Sequence, residues 1–216
     1  MQPLPFRWQE EELLLHPLKA LYWPFRKLLL LADLHLGKTF HFRREGFAVP
    51  ARAGDLNWEK LIALLLDLQP ERVIFLGDLF HSSYNPEWEE FGGLRRQFEH
   101  VSFELVGGNH DILSDFQYDR FDLLRHGESL ELAPFLLTHE PLESVPPDRY
   151  NLAGHIHPAV RLQGAGKQRL KLPCFYFGKR AGILPAFGAF TGTALVRPAP
   201  GDRVFVVAEE QVVEVG

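Results

Sequence analysis

The sequence is poor in cysteine and in long apolar segments, and both shortages exclude whole classes of protein. Cys174 is the single cysteine among 216 residues, so no intramolecular disulfide framework is available. Its apolar surroundings predict a small buried side chain in a strand. No apolar run approaches the about 20 residues of a membrane-spanning helix, and the first residues lack the basic flank and apolar stretch of a signal peptide. We therefore expect a cytoplasmic protein with no membrane partner.

An excess of positive charge is also lacking. Lysine and arginine number 23 against 28 aspartate and glutamate residues, which gives a formal net charge of −5 at pH 7. This balance does not exclude a nucleic-acid substrate, because metal ions bound to acidic residues would reverse the sign of the charge at the site itself. With 46% hydrophobic residues the chain can bury a sizeable core, and we predict a single domain over residues 1–216.

Hydrophobic periodicity predicts an α/β fold. Apolar runs at residues 28–32, 73–76 and 101–106 are typical of buried strands, and a helical repeat of apolar residues separates the first two. After about residue 130 the pattern changes to short strands and turns. The strands predicted in this half span residues 135–138, 150–153, 170–177, 194–197, 204–208 and 212–215. Together the two halves predict two packed sheets with helices outside.

Five short polar clusters lie at or just beyond the ends of predicted strands. In chain order they are Asp33-Leu34-His35, Gly77-Asp78, Gly108-Asn109-His110-Asp111, His139 and Gly154-His155-Ile156-His157. Because ligands of open α/β sheets bind beyond the carboxyl ends of strands, we expect these clusters to converge. Their carboxylate, amide and imidazole groups are what two divalent metal ions need when they share one bridging carboxylate and keep positions open for a substrate.

The residue types within the clusters indicate different roles. The Asp78 carboxylate can bridge two cations, and Gly77 before it allows a tight turn at the strand end. His110 directly follows a candidate ligand, so it can reach a phosphate and stabilise charge or protonate the leaving oxygen. Asp111 has two interpretations: it braces the loop, or it acts in catalysis.

The five clusters resemble the five motifs of the calcineurin-like metallophosphoesterase superfamily, in the same order and over most of the chain. The resemblance implies a four-layer α/β/β/α sandwich of two mixed sheets with no separate capping domain. It implies that the first metal is held by Asp33, His35, Asp78 and His157. It implies that Asp78 bridges to a second metal, which is completed by Asn109, His139 and His155. His110 is then the histidine that faces the substrate.

A narrower resemblance is to the bacterial ligase-associated DNA-damage-response endonucleases (PdeM-type). It rests on Asp33-Leu34-His35-Leu36-Gly37-Lys38, Phe42-Arg43-Arg44-Glu45-Gly46 and Gly77-Asp78-Leu79-Phe80-His81. The end of the last run also resembles the SbcD-type repair nucleases, where the histidine equivalent to His81 lies beside the active site. The resemblance implies DNA as substrate, with a DNA ligase and a helicase as partners in repair.

These expectations combine into a metal-dependent phosphodiesterase that cleaves DNA, with single-stranded or gapped structures favoured. A ligand set of oxygen and imidazole without thiolate fits two manganese ions, and would also admit iron or zinc. Two alternatives stay open: hydrolysis of small molecules such as cyclic nucleotides, and a scaffold role in a repair complex. Homo-oligomerisation also stays open.

Overall fold

Two mixed β-sheets form the frame of the molecule. The computed structural model describes residues 1–38, 55–80, 87–163, 168–189 and 191–215. Within these ranges the first sheet has seven strands: β1 (Leu4–Trp8), β2 (Glu11–His16), β3 (Ala20–Trp23), β4 (Leu28–Leu31), β5 (Arg72–Leu76), β6 (Ser102–Val106) and β7 (Leu124–His126). They lie side by side in chain order. Pairing is antiparallel from β1 to β4 and parallel from β4 to β7.

The second sheet contains the later strands of the described chain. They are β8 (Ser129–Leu132), β9 (Phe135–Thr138), β10 (Tyr150–Ala153), β11 (Pro158–Gln163), β12 (Arg169–Phe177), β13 (Ala181–Ile183), β14 (Ala194–Leu195), β15 (Arg203–Ala208) and β16 (Gln211–Val215). The spatial order is β14-β11-β12-β13-β10-β9-β8, and β15 joins β12 to β16. Strands β9, β10 and β13 run parallel, so the ends of β9 and β10 open on the same edge.

The main core lies between the two sheets. Leu30, Ile74 and Leu76 of the first sheet pack in one buried cluster with Phe135 and Phe175 of the second. Strand β4 is buried on both faces, because alternate side chains point to opposite sides of a sheet. Its four consecutive leucines therefore supply both the core between the sheets and the core beneath the helices.

Helices cover the outer face of the first sheet. In the described residues they are α1 (Asp55–Leu68), α2 (Glu87–Gln97) and α3 (Asp115–Arg120), with a 3-10 turn at Pro24–Arg26. Leu61, Trp88 and Tyr118 each anchor one helix in a second buried cluster with Leu29 and Phe75. None of the helices in the described part of the chain is long and apolar enough to cross a membrane.

The predicted α/β sandwich of two mixed sheets is confirmed, and the described residues show no separate cap. The strands predicted at Phe135–Thr138 and Tyr150–Ala153 have the observed bounds, and most others differ by one residue. The strand predicted at 194–197 is shorter, because only Ala194–Leu195 pairs with β11. Cys174 is fully buried on β12, as predicted, and burial raises the pKa of its thiol to about 12.

Candidate metal centre

The polar clusters lie together at the carboxyl ends of parallel strands from both sheets. Asp33 and Asp78 follow β4 and β5, and Asn109 follows β6. His139 follows β9, and the turn after β10 carries the last two histidines. The segment after β13 ties the sheets together at this edge, because the amide of Leu184 donates to the carbonyl of Ala153 and that of Phe187 donates to Ala32, each at 2.8 Å.

The first group of candidate ligands comprises Asp33, His35 and His157, whose ligand atoms all lie within 4.8 Å of one another. His157 Nδ1 lies 3.0 Å from the carbonyl oxygen of Gly192, so this nitrogen carries the proton and donates it. The Nε2 lone pair of His157 then lies 3.2 Å from Asp33 Oδ1. Among the described residues that buried oxygen has no hydrogen-bond donor, while Asp33 Oδ2 accepts a hydrogen bond from the backbone of His155 at 2.9 Å.

The second group comprises Asp78, His139 and His155. His139 Nδ1 donates to the carbonyl oxygen of Leu76 at 2.9 Å, which directs Nε2 toward the other members of the group. This Nε2 lies 3.0 Å from His155 Nδ1, 3.1 Å from Asn109 Oδ1 and 3.4 Å from Asp78 Oδ1. Several acceptor atoms therefore converge on one point in both groups.

This convergence fits two bound cations. Carboxylate, amide and imidazole groups that lie this close together are the ligand types of divalent metal ions, and an ion between them would bind the lone pairs that they direct toward it. The backbone carbonyls that hold the far nitrogens of His139 and His157 fix the tautomer, as such carbonyls do for metal-bound histidines. Asp78 faces both groups, with Oδ2 3.9 Å from His35 Nε2 and Oδ1 toward His139. The two groups are therefore candidate sites for divalent metal ions.

The backbone at the candidate ligands is unusual. Asp33, His35, Asp78, His155 and His157 all have positive φ, between 48° and 64°. For a residue other than glycine, a positive φ costs of order 1–3 kcal/mol. Residues held in this conformation are concentrated at functional sites. A strand that leaves the sheet through the left-handed region turns its side chain sharply toward the neighbouring strand end. Aspartate and histidine adopt this conformation more often than most residues do, but the sequence does not show at which positions they adopt it.

Glycine at position 77 is required by close packing. Gly77 has φ +73°, and a Cβ atom there would lie 2.2 Å from His139 Nδ1. Because glycine has no side chain, the imidazole of His139 after β9 can pack directly against the backbone of Gly77 after β5. The sequence predicted a tight turn at Gly77, and the structure adds this contact between the sheets.

Two further polar residues hold the loops in place. Asp111 accepts hydrogen bonds from the amides of Gly108 and Phe80 at 2.9 and 3.2 Å, so its carboxylate braces the loop that carries Asn109. Burial raises the pKa of Asp111 to about 6. Asn151, which the sequence analysis missed, is fully buried, accepts from the amide of Leu142 and donates to Leu136 and Thr138. An asparagine within an otherwise apolar strand is the sequence signal that could have identified this residue.

The structure brings the seven predicted ligands together, with Asn109 beside the second group. His110 is half-buried at the rim, with its ring centroid 5.7 Å from that of His35, and its amide donates to Asp78 Oδ1 at 3.0 Å. Lys38 is half-buried near Asp33 and Asp78; burial lowers the pKa of Lys38, and the two carboxylates oppose that shift. The predicted residue His81 and the motif residues Arg43 and Arg44 lie outside the described residues.

Known proteins resemble this chain in sequence and in structure. The crystal structure of the Pseudomonas putida nuclease MPE is 31% identical, covers 99% of this chain and 100% of its own, and superimposes with a TM-score of 0.84. YfcE, a phosphoesterase from E. coli, is 14% identical over 87% of this chain and 97% of its own, with a TM-score of 0.46.

A curated relative and a family match agree with this resemblance. Metallophosphoesterase 1 of Macaca fascicularis is 32% identical over 133 residues, which are 52% of this chain and 31% of that protein. This chain thus spans about a third of the length of that relative. The family of calcineurin-like phosphoesterases matches residues 26–155, which is more than half of the chain. The chain belongs to the calcineurin-like phosphoesterase family, a family of metal-dependent phosphoester hydrolases.

Proposed function

We propose that this protein is a two-metal phosphodiesterase that cleaves DNA, preferentially single-stranded or gapped DNA, during repair. The observation that carries the proposal is the pair of ligand groups that converge on opposite oxygens of one carboxylate, Asp78. Phosphodiester cleavage by two metal ions needs such a shared ligand, which keeps the ions about 3.5–4 Å apart. The likeness to a nuclease over nearly the whole chain supports a polynucleotide substrate.

We assign each of the two groups of candidate ligands to one of the two ions. We assign Asp33, His35 and His157 to the first ion and Asn109, His139 and His155 to the second, with Asp78 shared. Ions bound here would activate a water molecule near neutral pH and neutralise the phosphate oxygens. Oxygen and imidazole ligands without thiolate suit manganese, with iron or zinc as the other candidates.

The chain itself then supplies positioning and a proton. His110 lies at the rim of the centre, and its position is fixed by the hydrogen bond from its amide to the proposed bridging carboxylate. From there its imidazole binds a non-bridging phosphate oxygen and protonates the departing alkoxide. His81 is proposed as a second histidine that contacts the phosphate. Lys38 adds positive charge on the side where the DNA backbone enters.

The cellular role is proposed from the resemblance of the loop motifs to ligase-associated endonucleases. In that role the protein acts in the cytoplasm beside a DNA ligase and a helicase. The helicase would expose the unpaired strand, and the ligase would seal the strand after the cut.

Nicking of circular single-stranded DNA tests the function. A circle has no ends, so conversion to the linear form requires an endonuclease. We expect metal-stripped protein to be inactive, manganese to restore cleavage, and Asp78→Asn to abolish both cleavage and manganese binding because the shared ligand is weakened. The Asp78→Asn protein, purified in parallel, also controls for contaminating nucleases. Hydrolysis of bis(4-nitrophenyl) phosphate without cleavage of the circle would instead indicate a small-molecule phosphodiesterase.

A further inference from the structure

A cavity of about 580 Å³ opens beside the second ligand group. Asn109 and His139 form part of its wall, and the rest comes from Gly107–Gly108, the segment 126–128, Thr138, Glu140 and Leu142. A molecule in the cavity therefore lies beside two proposed metal ligands. We infer that this cavity receives the nucleobase next to the scissile phosphodiester and that His126 binds this base. The inference rests on the proposed function and names the unpaired nucleotide as the recognised substrate element.

His126 is held by a buried ionic network. Its Nε2 lies 2.7 Å from an oxygen of Glu104, which is 2% exposed in the core between the sheets. Arg72 donates two hydrogen bonds to the same carboxylate at 2.7 and 2.9 Å. Burial would raise the pKa of Glu104, but the hydrogen bonds from Arg72 and His126 hold it below its ordinary value. The carboxylate therefore stays charged and accepts the proton of His126 Nε2.

This arrangement is costly for stability alone. Burial removes the hydration of the Glu104 carboxylate, while the Arg72 side chain stays 31% exposed, so the pair gains little over well-packed apolar side chains. The network does hold the imidazole of His126 in one position at the cavity wall, because the Glu104 carboxylate determines both the orientation of the ring and its tautomer. A rigidly held side chain beside a reacting centre is the usual arrangement of a residue that positions substrate.

The charges of the cavity select the part of the nucleotide that enters. Glu128 and Glu140 line it, and its described wall contains no lysine or arginine. A phosphate would be repelled, whereas the amino groups of cytosine and adenine can donate to a carboxylate. An imidazole offers a face on which an unpaired base can stack. The volume is within the range of pockets that hold small organic ligands.

Recognition of this kind requires a base that has left the helical stack. A paired base is shielded by its neighbours, and extracting it costs a few kcal/mol. The cavity thus gives a physical reason for a preference for single-stranded or gapped DNA. It also predicts that cytosine or adenine beside the cut is favoured over thymine, whose carbonyl oxygens face carboxylates unfavourably.

The test compares a single-stranded oligonucleotide with bis(4-nitrophenyl) phosphate, which carries no base. We expect His126→Ala in manganese-loaded protein to lower kcat/KM for the oligonucleotide at least tenfold more than for the small diester, mainly through KM. His126→Gln places an amide nitrogen near the position of Nε2 and can still donate to Glu104, so it keeps the network and should show the same selective loss. His100→Ala is the matched control, because His100 is exposed and precedes β6, at the opposite end of that strand from Asn109.

A binding measurement separates recognition from turnover. Fluorescence anisotropy of a labelled oligonucleotide without metal should show weaker binding to His126→Ala than to the unaltered protein. Equal losses on both substrates, or unchanged binding and kinetics, would overturn the inference and leave the proposed function intact. Hydrolysis of the small diester without DNA cleavage by the unaltered protein would overturn both.

Discussion

At the scale of single residues, the candidate centre depends on backbone conformations that side-chain residues seldom adopt. Five of the seven proposed ligands have positive φ, and Gly77 contacts His139 so closely that no side chain fits. The sequence predicted which side chains supply the ligands, because aspartate and histidine residues that follow apolar runs can be identified in it directly. It did not show the turns, because a left-handed aspartate or histidine has no local signature and is held by its long-range partners.

His110 provides the test at this scale. We expect His110→Ala to bind manganese with unchanged stoichiometry and to lose turnover of DNA by about 10²–10⁴-fold, the usual contribution of an acid catalyst. Metal analysis of the purified variant together with steady-state rates would check both parts. His100→Ala serves as the control for loss of a histidine. Near-normal turnover would remove His110 from the proposed mechanism.

At the scale of elements, helix α2 contains two adjacent glycines with opposite surroundings. A Cβ atom at Gly92 would lie 2.3 Å from the ring of Phe121, whereas one at Gly93 meets nothing within 4 Å. The ring of Phe121 in turn packs on Trp88, with centroids 4.9 Å apart. The first glycine is therefore a packing requirement, and the second only weakens the helix.

This contrast gives a paired prediction within one helix. Gly93→Ala should raise the free energy of unfolding by about 0.5–1 kcal/mol, because alanine loses less backbone entropy in a helix. Gly92→Ala should lower it, since Phe121 must move to admit the methyl group. Chemical denaturation of the two variants measures both changes. If Gly92→Ala is as stable as the unaltered protein or more stable, the packing role of Gly92 is wrong.

Several strands that the sequence analysis missed are short or lie at the edge of a sheet. The three strands before β4, and the strands β7, β8, β11 and β13, were not predicted. Strand β7 has three residues and β8 has no fully buried side chain, so neither carries enough apolar alternation to be recognised. Such strands form because a neighbouring strand supplies the hydrogen bonds, and pairing of this kind outweighs local propensity.

At the scale of the whole molecule, stability couples to pH through His16. This side chain is buried at the end of β2, its Nδ1 accepts a hydrogen bond from the amide of Leu18 at 3.0 Å, and Asp67 lies 4.0 Å away. Burial lowers its pKa from 6.5 to about 4. Between these values the unfolded chain binds the proton and the folded chain does not, so stability falls as the pH decreases.

The expected size of this effect is testable. The difference between the ordinary pKa of 6.5 and the pKa of about 4 in the folded protein corresponds to about 3 kcal/mol of unfolding free energy. His16→Asn keeps an acceptor for the Leu18 amide and removes the titration. Denaturation from pH 7 to pH 4 should therefore show a flatter loss of stability in the variant than in the unaltered protein. Parallel curves would mean that His16 does not titrate as its burial indicates.

The sequence by itself determined the fold class, the family and the set of polar groups that form the candidate centre. These follow from local patterns: apolar runs, strand ends and the residue types placed there. Only the tertiary structure decided how the groups meet. His139 is oriented by a carbonyl 63 residues earlier in the chain and His157 by one 35 residues later. The Glu104–His126 pair forms when β6 and β7 pair within the first sheet, and the cavity beside it forms only once the two sheets have packed.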